Sequence, residues 1–198
     1  MKWFLSLIAI LIASSFSAAQ QKTVTPKPAP AKPSADSQVY RNSVFGFRYR
    51  IPVGWVERTK DMQEGDDPSK GQVLLAIFER PPEAAGDTVN SAVVIAAEST
   101  TSYPGWKKAE DYLGPLTELS TSKGFKSAGD PSVVTINGHE LVRADFSRQL
   151  SDTLTMNQST LVFVQKGQIV SLTFIAGADE EINELIERLA FAASAKKY

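Results

Sequence analysis

The stretch Val44-Phe45-Gly46-Phe47-Arg48-Tyr49-Arg50-Ile51-Pro52-Val53-Gly54-Trp55 carries two alternating sets of side chains. Phe45, Phe47, Tyr49 and Ile51 occupy every second position, and Gly46, Arg48 and Arg50 fall between them. A period of two places the aromatic set on one face of a strand and the arginines on the other. Pro52 ends the ladder because it has no N–H to donate. Val53-Gly54 turns the chain, and Trp55 comes next as a large apolar anchor. The residues before this strand read as export signal and tether. The residues after it read as sheet and helix built upon it.

Upstream, Met1-Lys2 is a short positive region, Trp3 to Ala13 is apolar, and Ser17-Ala18-Ala19 supplies small residues for cleavage before Gln20. Residues 1–19 are therefore expected to be a secretory signal peptide, and the location extracytoplasmic, periplasmic or secreted. The competing reading is a retained membrane anchor, although the apolar run is short for a span of about 20 residues. The membrane is expected as a partner only in that case. Residues 20–39 continue as a linker with Pro26, Pro28, Pro30 and Pro33 among alanine and lysine. Proline fixes φ and removes donors, which predicts extended polyproline II or disorder. It reads either as a spacer or as a plain mature N-terminus.

Downstream, residues 57–71 form a charged loop. Val73-Leu74-Leu75-Ala76-Ile77-Phe78 and Ala92-Val93-Val94-Ile95-Ala96-Ala97 are continuous apolar runs, as for strands covered on both faces. Trp106, Ala109, Tyr112 and Leu113, then Leu116 and Leu119, recur at helical spacing. Gly114-Pro115 predicts a break between them, and Gly124 a left-handed cap at the end. Asn137-Gly138 and Lys166-Gly167 mark tight turns in a meander of strands over 132–136, 140–150, 154–164 and 169–176. An amphipathic helix is expected over 179–193, with Ile182, Leu185, Ile186 and Leu189 on one face.

The composition bounds function. The 198 residues contain no cysteine and one histidine, and the formal net charge is −1. Disulfides and thiolate metal sites are excluded, and the chain lacks the basic footprint of a nucleic-acid binder. Residues 40–198 are long enough to support one core without staples.

Tyr40, Asn42, Phe45-Gly46-Phe47, Tyr49, Ile51-Pro52 and Gly54-Trp55 open this region. Asn137-Gly138, Lys166-Gly167-Gln168-Ile169, Leu172-Thr173-Phe174 and the closing helix come after them, in an order that resembles the PsbP-like superfamily. That group includes an extrinsic photosystem II subunit, a Ran-binding import factor and bacterial DcrB-like exported proteins. The resemblance covers 40–198 and implies an α+β fold, an α/β/α sandwich with a central, mainly antiparallel sheet. It also implies an adaptor or assembly role without shared catalytic residues, so shape alone does not set function.

Several residues are weighed as chemistry. His139 would serve as a general base, but no nucleophile motif accompanies it. Ser120-Thr121-Ser122-Lys123 has the spacing of a serine–lysine pair, without the partner motifs of penicillin-recognising enzymes. Asp61, Glu64, Asp66 and Asp67 could gather oxygens for calcium, but the spacing fails the EF-hand pattern. Hence no catalytic residue, cofactor or metal is expected, and the chain is not read as an enzyme. Trp55, Trp106, Tyr103 and Tyr112 are a candidate ligand groove. Arg48, Arg50, Arg143 and Arg148 are a candidate patch for an anionic partner. The function expected is an exported binding or assembly module with a protein partner in the bacterial cell envelope. The alternative is a carrier of a small apolar or lipid ligand between sheet and helix.

Overall fold

The computed structural model describes residues 38–63, 71–103 and 105–192. The leader, most of the linker and the acidic residues Glu64, Asp66 and Asp67 lie outside the described residues. Two antiparallel sheets form. The smaller joins β1 (Val39–Asn42), β2 (Phe47–Arg50) and β11 (Leu189–Phe191) in the order β1-β2-β11. The larger runs β3 (Val56–Glu57), β4 (Gly71–Phe78), β5 (Ala92–Ser99), β10 (Gln168–Ala176), β9 (Leu154–Gln165), β8 (His139–Ser151) and β6 (Lys126–Ser127). β7 (Ser132–Ile136) pairs with β8 beyond β6.

The helices α1 (Ala109–Ser122) and α2 (Asp179–Ile186) cover opposite faces of the large sheet. On one face, Ile182 and Leu185 of α2 join Phe45 of the β1–β2 turn and Phe47 and Tyr49 of the small sheet over Leu161, Leu172 and Phe174. On the other, Tyr112 and Leu116 of α1 pack on Val142, Phe146, Val162 and Ile169. The neighbours Leu141 and Val142 divide between the two cores, as do Ile169 and Val170, because adjacent strand residues face opposite ways. This is the α/β/α sandwich with a mainly antiparallel centre, its α2 side shared with a second sheet.

The aromatic strand keeps its predicted alternation. Phe45, Phe47, Tyr49 and Ile51 are buried, and Arg48 and Arg50 are exposed. It belongs to the small sheet rather than the large one. Its partner β1 begins at Val39, the last residue assigned to the linker. Asn42 makes the connection, its Oδ1 accepting from Phe45 N–H at 3.0 Å, while Gly46 takes φ +70°. The Asn137-Gly138 and Lys166-Gly167 turns hold positive φ at both residues, as expected of two-residue hairpins.

Two expectations are corrected. α1 runs unbroken through Gly114-Pro115. The proline forfeits one backbone bond, and burial of Tyr112, Leu113, Leu116 and Ser120 holds the helix across it. The last helix stops at Ile186, and Leu189–Phe191 becomes β11. There Leu189 pairs with Tyr49 and Phe191 with Phe47, so the exposed edge of β2 competes successfully for this segment. The cap at Gly124 is as expected. Its φ is +84°, its N–H reaches Thr121 O at 2.9 Å, and Phe125 N–H reaches Ser120 O at 3.1 Å.

Candidate functional site

The outer face of the small sheet is built by register. Arg41 lies directly opposite Arg48, and Arg48 opposite Ala190. Val39 lies opposite Arg50, whose N–H bonds Arg188 O at 3.1 Å on the other side. Tyr49 and Phe47 point into the core, so Arg48 and Arg50 point outward. Arg41, Arg48 and Arg50 are exposed, whereas the partly exposed Arg188 lies near enough to the inward-pointing Tyr49 hydroxyl for its charge to act there. Cross-strand neighbours stand roughly 5 Å apart. No carboxylate among the described residues forms an ion pair with any of the four. Like charges directly opposite each other destabilise a sheet, so this face works against folding unless an anion meets it.

Arg48 and Arg50 of the candidate patch belong to this face, and Arg143 and Arg148 do not. Arg143 is neutralised by Asp145 at 2.9 Å and donates to Asn183 Oδ1 at 3.1 Å on α2. Arg148 lies beside Gly124 at the negative end of α1, where a cation is favourable. The four arginines of β8 and β2 are thus spread over three surfaces. Sequence reasoning missed Arg41, because it sat next to a linker.

The aromatic set also divides. Tyr103 stacks on Trp106 with ring centroids 4.0 Å apart, and Trp106 meets Tyr112 edge-on at 5.4 Å. Trp55 packs on the opposite face, against the cluster under the small sheet. The four therefore do not line one groove. Beneath the three, Tyr112 donates to buried Glu98. Burial pushes the Glu98 carboxyl above its usual range, and the hydrogen bond from Tyr112 opposes the shift. Burial likewise raises the Tyr112 phenol. This cluster holds α1 against β5.

His139 stacks on Phe191 at 4.4 Å, and its Nδ1 is buried without a hydrogen-bond partner among the described residues. Ser120 is buried under α1, while Lys123 caps the helix in solvent, so the pair does not present a nucleophile. No group of three or more histidines and carboxylates able to hold a metal occurs among the described residues. No helix among them is long and apolar enough to cross a membrane.

No family model matches the sequence, and no curated protein matches it. Solved structures do. The solution structure of cyanobacterial PsbP from Synechocystis sp. PCC 6803 is 13% identical, matches 85% of this chain and 100% of its own, and gives a TM-score of 0.51. The Ran-binding protein Mog1p of Saccharomyces cerevisiae is 10% identical over 81% of this chain and 97% of its own, with a TM-score of 0.46. LpqN of Mycobacterium tuberculosis, involved in cell envelope biogenesis, is 14% identical over 79% and 85%, with a TM-score of 0.38. At these identities the likeness concerns fold, and the conclusion rests on the first. This chain shares the fold of that cyanobacterial PsbP structure.

Proposed function

We propose that this protein is an exported, non-enzymatic binding or assembly module of the bacterial cell envelope. Residues 1–19 direct export, 20–39 space the domain, and 40–198 form it. The observation that carries the reading is the outer face of the small sheet, where Arg41, Arg48 and Arg50 stand together without a carboxylate partner among the described residues. Such a face steers an acidic protein surface into register and rejects basic ones. The partner is therefore a protein with an exposed acidic patch.

The test is crosslinking capture from envelope extracts, using the full chain and the double variant Arg48→Glu with Arg50→Glu. A partner retained by the wild type, released by salt and lost in the variant supports the reading. Recovery of no partner, together with turnover of a small substrate, rejects it.

A further inference from the structure

The ladder between β8 and β9 runs from Ser151 opposite Leu154 to Val142 opposite Val162, and stops there. Both strands continue. β8 extends back to His139 along β7, and β9 runs on to Gln165 along β10. Each is paired on its outer edge alone, so the two strands part and their inner edges face a gap. A cavity of about 460 Å³ occupies it. Its walls include Leu141 and Phe163, from the core under the small sheet, and Val142 and Val164, from the core under α1. Residues belonging to both faces of the sheet line one cavity, as expected where the sheet is open, and Val133 of β7 with Ala109 of α1 complete its α1 side.

The charge of this cleft is one-sided. Glu140 comes from β8 and Glu110 from the first turn of α1, and both are exposed. No lysine or arginine lines it among the described residues. The buried, unpartnered Nδ1 of His139 belongs to a side chain in the same wall, held by its stacking on Phe191.

We propose that this cleft binds a short extended peptide bearing basic side chains, inserted between β8 and β9 as an added strand. Two facing strand edges offer backbone donors and acceptors on both lips, which an extended peptide satisfies and a compact ligand does not. Leu141 and Phe163 take its apolar side chains on one face, and alternation turns the others to the opposite face, toward Glu110 and Glu140 beside Val142 and Val164. The volume falls within the range of small-ligand sites, roughly 300–1,000 Å³. The site is separate from the arginine face and opposite to it in charge.

The full chain, labelled with ¹⁵N, is titrated with the blocked peptides Val-Lys-Val-Lys and Val-Glu-Val-Glu while amide shifts are followed. The basic peptide is expected to move the amides of 139–142 and 163–165 saturably, and the acidic peptide to leave them unmoved. Glu110→Gln combined with Glu140→Gln weakens the basic peptide about tenfold, and the variant's own spectrum reports that it is folded. The proposal is overturned if the basic peptide moves none of these amides at millimolar concentration. It is equally overturned if both peptides bind there alike, or if the folded double variant binds as the wild type does. Shifts confined to the small sheet with the acidic peptide belong to the arginine face and leave this cleft judged by the basic peptide alone.

Discussion

The hydroxyl of Tyr112 donates to Oε1 of Glu98 at 3.0 Å, joining α1 to β5 through a carboxyl that is only 5% exposed. Its Oε2 has no hydrogen-bond partner among the described residues. A carboxyl placed so holds its proton to a higher pH when folded than when unfolded, because burial penalises the charged form.

The consequence is a pH-dependent stability of known sign. With the folded pKa raised above the ordinary 4.5, the contribution is fully present below that value. It is lost as pH rises through the folded pKa, because the unfolded chain releases this proton first. Thermal unfolding across pH should therefore show a decline that Glu98→Gln removes, with the two proteins diverging toward alkaline pH. Parallel curves would show that Glu98 ionises as readily folded as unfolded.

Arg41 opposite Arg48 predicts opposite effects on stability and binding. Arg41→Glu replaces a like-charge pair with an attractive one and should stabilise the domain by about 0.5 kcal/mol at low salt. The same change should weaken capture of the acidic partner. Chemical denaturation at two salt concentrations, alongside the crosslinking assay, measures both.

Gly124→Ala should cost about 1 kcal/mol. The new Cβ would meet Arg148 at an ordinary 3.6 Å, so the cost comes from holding φ at +84°. Urea unfolding at constant m-value checks it.

Pro115→Ala should stabilise the chain, because an alanine N–H at this interior position can reach the Asp111 carbonyl one turn earlier. The gain is bounded by about 3 kcal/mol, the propensity difference between the two residues. A fall in the midpoint would mean that the proline ring's own packing outweighs the lost bond.

Much of the fold was legible in short-range pattern. Alternation in 45–51, the apolar runs of β4 and β5, the two hairpin turns and the glycine cap each depend on a few neighbouring residues. Gly114-Pro115 misled because local propensity favours a break there, and packing of Tyr112 and Leu116 overrides it. Residues 187–191 misled because Leu189 suits a helical face as well as a strand, and the edge of β2 made the choice.

The candidate sites depended on distance along the chain. Arg48 and Arg50 are recognisable as outward-facing within their own strand. Their company is not, because Arg41 arrives only when β2 pairs with β1 in the register that sets it opposite Arg48. The cleft has no sequence signal, since it exists where two strands fail to pair. The residues alone determined the periodicities, the turns and the absence of cysteine chemistry, because these are properties of neighbours and of composition. Which charges share a surface, and where the sheet opens, were decided only when long-range pairing competed among edges for the same backbone donors and acceptors.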